Sequence, residues 1–442
     1  MKKLTLSLNL VSLLSCSLFY PTNLNAAPNV PDTHQAQALQ LEKIVIFSRH
    51  GIRTPLVGKD SILSQATPYQ WVKWQDKTGY LTAKGARLEK LFAAYWSEWL
   101  QQTGILSSQC PKDDLFIYTN ARPRTIDTGV SFAKGAYSHC AIRVNYLGEY
   151  NTMDNTFNPV IRSKVDKAFE QKARKAVDEL VGEGGFTQLN RHLQSNFNAL
   201  AQALNQEQSP LCQEKQLCNL DQEANTLTFT QGKEPKTTGA LRDGTGAADS
   251  FLLQYYEGFP AKEVAWGRID NQESWKKIVD IKERYNQLLF GTQVMAKEAA
   301  TPLLTFIQNS FKDYGYQHPY IEKARNAKVV LLVGHDSNVG SLLPLLKVKP
   351  YHLPDQLEST PISGKVAFEK WVNAKGEAFM KVEYVYQTID QLRNGTKLSL
   401  TNPPNRITLQ LEDCPTNAQG LCKMDDFYNA VKNALKNTAL YP

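Results

Sequence analysis

The 442-residue chain is 42% hydrophobic and 21% charged, the composition of a soluble globular protein long enough for two or three domains. Its formal charge of +7 comes from 50 lysines and arginines against 43 acids, with no dense basic run. This excludes a nucleic-acid footprint, which clusters basic residues among aromatics, and leaves room for small anionic ligands.

Lys2 and Lys3 precede an apolar run from Leu4 to Tyr20, and "NLNAAP" offers small residues for cleavage near Ala26. The pattern predicts an export signal over residues 1–26 and a periplasmic protein, because the run is too short and wrongly flanked for a stable membrane span. A lipoprotein anchored at Cys16 is the minor alternative, with Leu14 awkwardly placed for it. Cleavage lowers the charge to +5 and leaves six of the seven cysteines. An even number in an exported chain predicts disulfides, and proximity favours Cys110–Cys140, Cys212–Cys218 and Cys414–Cys422. No C-x-x-C occurs and no histidine stands at ligand spacing from these cysteines, so no metal is expected there.

After a polar lead-in over 27–40, "LEKIVIFSRH" reads as a buried strand entering a loop. "LTAKGARLEKLFAAYWSEWLQQTG" has the apolar spacing and terminal glycine of a helix. "DDLFIYTNARPRT" and "AIRVNYL" predict two further strands. From about 161 to 325 the character turns helical, with "SKVDKAFEQKARKAVDELVG", "LNRHLQSNFNALAQALN", "GAADSFLLQYYEGF", "SWKKIVDIKERYNQLLFG" and "AKEAATPLLTFIQNSF" all at helical period. "NTLTFT" is the main strand signal in that block. Strands return with "AKVVLLVGHDSNV" and the alternating "MKVEYVYQT". The expected architecture is α/β, with a discontinuous domain over 41–160 plus 326–442 and a mainly helical insert over 161–325.

Three predicted strands end in reactive residues: Arg49-His50 with Arg53, then Arg124, then His335-Asp336. If the strands are adjacent and parallel, these groups meet in the crevice at the carboxyl edge of the sheet. Each alone is a packing or surface residue; together they suit a phosphomonoester. Arginine forks pair with phosphate oxygens and stabilise the charge that develops during transfer. The field of Arg49 and Arg53 keeps His50 neutral and nucleophilic, ready to form a phosphohistidine. The Gly51 carbonyl can hold the other ring nitrogen. Asp336 is the candidate proton donor to the leaving oxygen and later the base for water. No step calls for a metal or other cofactor. Trp71, Trp74, Trp96 and Trp99 read as core or pocket wall.

The stretches "SRHGIRTP", Arg124-Thr125 and "GHDSN" resemble the histidine acid phosphatase family, in its branch of bacterial phytases and glucose-1-phosphatases. The similarity spans about residues 41 to 430. It implies a phosphoglycerate-mutase-like fold, a doubly wound sheet with an inserted helical domain. It implies His50 as nucleophile, Asp336 as proton donor, and Arg49, Arg53, Arg124 and His335 as phosphate ligands. Within the family, "QYYEGFP" implies that Glu257 faces the pocket, where an anion repels extra phosphates and binds sugar hydroxyls. Leu56 and Val57 stand where phytases carry more polar, phosphate-gripping residues. The implied activity is metal-independent hydrolysis of glucose 1-phosphate or a similar sugar phosphate. A phytase or broad acid phosphatase is the alternative. An exported phosphate- or sugar-phosphate-binding protein without turnover is the alternative outside the family. The partner in every case is a small phosphate ester, with no nucleic acid and no stable membrane span.

Overall fold

Ile44, Val45, Ile46 and Phe47 are wholly buried in succession, which makes the first strand, β1 (Leu39–Arg49), a strand covered on both faces. The computed structural model describes residues 39–57 and 61–438. The expected leader over 1–26, with Cys16, lies outside these residues. After β1 come helix α1 (Ala83–Gln102), β2 (Leu115–Thr119), helix α2 (Pro123–Ala136) and β3 (Val144–Asn145). The strand expected in "AIRVNYL" is thus reduced to two paired residues at the sheet edge.

The helical block then runs through α3 (Lys167–Val181), α4 (Leu189–His192), α5 (Gln194–Leu204) and α6 (Pro210–Lys215). The single helix expected over 189–205 is broken at Leu193, whose backbone leaves helical geometry. A short antiparallel hairpin, β4 (Thr226–Thr228) with β5 (Lys236–Thr238), precedes α7 (Ala240–Glu257), α8 (Gln272–Asn286), α9 (Gln293–Phe311) and α10 (Ile321–Asn326). The sheet resumes with β6 (Val329–Gly334), followed by helix α11 (Asp336–Leu345), β7 (Lys365–Asn373) and β8 (Ala378–Tyr386). Helix α12 (Ile389–Asn394), β9 (Asn405–Thr408), β10 (Cys422–Lys423) and helix α13 (Met424–Leu435) complete the described chain.

The main sheet has the order β10-β8-β7-β1-β6-β2-β3, with β9 added on β8. Strands β1, β6, β2 and β3 are parallel, so their carboxyl ends share one edge. Beyond β1 the sheet turns antiparallel through β7 and β8. Alternation along β1 divides the packing. Val45 and Phe47 join the cluster of Leu303, Leu332 and Phe427, under α9, α11 and α13. Ile44 and Ile46 join Phe92, Trp96 and Phe132, under α1 and α2. Helices therefore cover both faces, the doubly wound arrangement. Each such fully buried Phe or Leu contributes about 1.5–3 kcal/mol from removal of apolar surface from water. A third cluster, with Phe197, Leu241, Phe251 and Ile278, is the core of the helical block.

The disulfides Cys110–Cys140, Cys212–Cys218 and Cys414–Cys422 are all formed. These fit an exported protein. Among the described residues no helix is long and apolar enough to cross a membrane.

Candidate active site

The register of the parallel strands sets Arg49 beside Gly334, and Thr119 beside Val333. Each chain leaves the sheet one residue later, so His50, Asn120 and His335 are neighbours at the same edge. Gly334 is needed there. A Cβ on it would lie 2.6 Å from Asn338 Oδ1, the oxygen that accepts the His335 N–H at 3.0 Å. Arg124 enters from the first turn of α2, and Asp336 begins α11.

These groups surround a cavity of about 320 Å³, lined among others by His50, Arg53, Arg124, His335 and Asp336. His50 is 2% exposed, and its Nδ1 lies 2.8 Å from the Gly51 carbonyl. That contact puts the ring proton on Nδ1 and leaves Nε2 with its lone pair. Burial first, then Arg124, His335, Arg49 and Arg53, hold the His50 pKa well below its ordinary value, so the ring is neutral. Arg124 is drawn down to about 9, by burial and then by Arg53, with Asp336 opposing. The cavity thus carries positive charge with too few anions to match it.

Arg53 Nη2 donates to Asp249 Oδ2 at 3.0 Å, which fixes its fork at the cavity wall. Arg49 is differently placed. It is 1% exposed and is not part of the cavity lining. Its Nη1 donates to Glu358 Oε1 at 3.1 Å and to the Thr360 carbonyl, and its Nη2 lies 3.4 Å from Asp336 Oδ2. Lys282, from α8, pairs with the same Glu358 and lies 4.0 Å from Asp336 Oδ2. Burial pushes the Asp336 carboxyl up. Arg49, then Lys282 and Arg53, outweigh burial and hold it far below the carboxylate range. Asp336 is therefore ionised beside these cations.

Glu257 does not line this cavity, contrary to the expectation. It is the last residue of α7, and its carboxylate accepts from Thr82 Oγ1 at 2.7 Å, the residue that caps α1. The α7 residues that do line the cavity are Arg242, Thr245, Gly246 and Asp249, one helical face. Glu257 lies about 12 Å further along the axis at the usual rise per residue. The carboxylate at the mouth is instead Glu234, from the β4–β5 hairpin. Burial and then Asp336 raise its pKa, against Arg122 and Arg124.

Asn120, Glu234, Asp249, Lys282 and Glu358 escaped the sequence reading. Asp249 and Lys282 sit in helices whose period announces only packing. Glu358 lies in an irregular stretch with no pattern to mark it. Asn120 carried a faint signal, since it ends a strand beside the Arg122-Pro123-Arg124 turn. For a metal, the grouping of ligand types within reach of one another among the described residues is Cys110, His139 and Cys140, where the two thiols are already joined as a disulfide.

The family model described as "Histidine phosphatase superfamily (branch 2)" matches residues 40–387. The chain is 39% identical to a glucose-1-phosphatase of Providencia rettgeri, over 96% of this chain and 98% of that one. It is 38% identical to the glucose-1-phosphatase of Salmonella typhimurium strain LT2, over 90% and 94%. Among solved structures, the apo form of Hafnia alvei phytase superposes with a TM-score of 0.84 at 28% identity, covering 90% of this chain and 97% of that one.

Proposed function

The chain belongs to the histidine phosphatase superfamily, branch 2, and we propose that it is an exported acid phosphatase that hydrolyses glucose 1-phosphate through a phosphohistidine. The observation that carries this reading is the meeting of a neutral His50 Nε2 with Arg53, Arg124 and His335 around a cavity of about 320 Å³.

In this mechanism the phosphate enters between Arg53, Arg124 and His335, whose N–H groups replace its water shell. Arg49 acts from behind the cavity by holding Asp336 in place. His50 Nε2 attacks phosphorus in line with the leaving oxygen; the N–P bond forms as the P–O bond breaks. The leaving oxygen takes its proton from Asp336. Arg49 and Lys282 hold Asp336 ionised, so the proton arrives with the substrate. At acid pH the ester enters as its monoanion, and its negative charge offsets the cations that keep Asp336 ionised. Water then attacks phosphorus and gives a proton to Asp336, and phosphate leaves His50 free.

Sugar monophosphates over inositol polyphosphates are favoured by Glu234, an anion at the mouth, and by the apolar side chains of Leu56 and Val57 on the cavity wall. The phytase reading keeps the same chemistry and is supported by the likeness to the Hafnia enzyme. Export to the periplasm is supported by the three disulfides and by the leader pattern over residues 1–26.

The test is kcat/KM at acid pH, with chelator present, for glucose 1-phosphate, glucose 6-phosphate and phytate on the mature protein. Preference for glucose 1-phosphate is expected. Preference for phytate selects the second reading, and tight phosphate binding without turnover of any ester rejects both.

A further inference from the structure

Asn120 takes no part in the steps above, yet its side chain uses every hydrogen-bonding position it has. Its Oδ1 accepts from the Ala121 and Asp154 N–H groups, each at 2.8 Å. Its Nδ2 donates to the Met153 sulfur at 3.2 Å and to His335 Nε2 at 2.6 Å. Turning the amide over would set its NH₂ against two backbone N–H groups, so its orientation is fixed. Asp154 is itself anchored, accepting from Thr156 N–H at 2.8 Å and from the Tyr118 hydroxyl at 2.5 Å.

A ring nitrogen that accepts a hydrogen bond carries no proton. Nε2 is therefore the bare nitrogen of His335, and the hydrogen of the neutral ring sits on Nδ1. Arg124 Nη2 lies 3.3 Å from that Nδ1. A guanidinium has only donors, so the two groups do not bond each other. The Asn338 N–H, from the first turn of α11, donates to the His335 carbonyl at 3.2 Å. Two donors thus stand side by side at the cavity with no acceptor between them. An anionic oxygen satisfies both.

We propose that Asn120 is a positioning residue that locks His335 in its Nδ1–H tautomer, so that the ring and Arg124 present paired donors to one phosphate oxygen. The role assigned to that oxygen rests on reading the cavity as a phosphomonoester site. The titratable and charged groups around the ring are Arg124 from α2 and Arg122 just before it, Arg53 and the neutral His50 ring from the loop after β1, and Asp336 from α11. Burial and then Arg124 keep the His335 pKa well below its ordinary value, with only Asp336 opposing. The ring is then a neutral donor over the working range, and phosphate binding involves no titration of His335.

Asn120→Asp tests this with little change of shape. It replaces the donating NH₂ by an oxygen that accepts, so Nε2 must carry a proton. His335 then keeps a hydrogen on Nδ1 only as the imidazolium, and its pKa rises. The charged ring exists below that raised pKa and is lost above it. The variant is expected to approach wild-type kcat/KM for glucose 1-phosphate at acid pH. As pH rises through that raised pKa, the ratio of variant to wild-type kcat/KM should fall about tenfold or more. In parallel, ¹⁵N-histidine NMR of the wild type, with the His335 signal identified by its loss in His335→Gln, should show a protonated Nδ1 and a bare Nε2. A protonated Nε2 in the wild type, or a variant pH profile that superimposes on the wild type, overturns the proposal. If Asn120→Asp does not fold, the wild-type spectrum decides. If glucose 1-phosphate is not hydrolysed at all, the proposed function fails while the tautomer is still read from that spectrum.

Discussion

Ser48 and Arg49, consecutive residues at the end of β1, belong to two buried charge clusters of opposite character. On the Ser48 side, Lys365 is fully buried and all three of its N–H donors are taken, by Ser48 Oγ at 2.9 Å, Glu89 Oε1 at 2.8 Å and the Ser363 carbonyl at 3.1 Å. The ring of Phe92 covers the ammonium at 4.5 Å. On the Arg49 side, the Nε groups of Arg49, Arg53 and Arg124 lack a partner among the described residues. Two histidines are held neutral there, and Glu358 and Asp249 pair with Arg49 and Arg53. The first cluster matches its one cation with one carboxylate, although Glu89 Oε2 and Ser363 Oγ lack a partner among the described residues. The second is short of negative charge and encloses space for it. Burial of charge by itself therefore does not mark a site; a surplus of one sign around a cavity does.

Three substitutions break this contrast in different ways. His50→Ala has the largest expected effect, a loss of kcat on glucose 1-phosphate of at least about a thousandfold, since it deletes the attacking nitrogen. Phosphate binding, read by titration, should survive, because the arginines remain. Retention of turnover within a few-fold of wild type would remove the phosphohistidine from the mechanism. Lys365→Met strands Glu89 in the first cluster and should cost about 3–5 kcal/mol of stability, as for one partner lost from a buried ion pair. Denaturant titration reads that cost. The folded fraction should keep its kcat, and a kcat loss at full folding would mean that the two clusters are not separate. Glu234→Gln has the smallest effect. It removes a negative charge from the mouth, and kcat/KM for phytate relative to glucose 1-phosphate should rise roughly fivefold, the scale of about 1 kcal/mol for unit charges some 4 Å apart in water. The raised Glu234 pKa gives the direction with pH. Discrimination against phytate is present while Glu234 is ionised, and it fades as pH falls and the carboxyl takes up a proton. An unchanged ratio at every pH would leave Glu234 without a part in substrate choice.

The Glu257 expectation shows how a sequence comparison can miss. "QYYEGFP" is a recognisable string, and its acid is near the cavity helix in number. Helical geometry carries Glu257 past the cavity to the cap of α1, while Glu234 reaches the cavity from the turn of the β4–β5 hairpin, where nothing in the sequence marks it. Arg49 shows the same effect in milder form. Its position in the motif suggests a phosphate ligand, and the fold turns its guanidinium to Glu358, Thr360 and Asp336.

What could be read without coordinates was whatever a dozen consecutive residues encode. The apolar runs of β1, β2 and β6 declare buried parallel strands, and the residues that follow each run declare the reactive edge. The helical period over 161–325 declares most of the helices between β3 and β6, and His50 with Gly51 declares a tautomer, because those two residues are adjacent. Folding alone could decide the contacts between distant segments. Glu358 meets Arg49 across 309 residues, Asn120 meets His335 across 215, and Asp249 meets Arg53 across 196. Such partners leave no periodic trace in either segment. Their choice depends on strand order, on register and on the direction in which each side chain leaves its element, and these exist only once the sheet has formed.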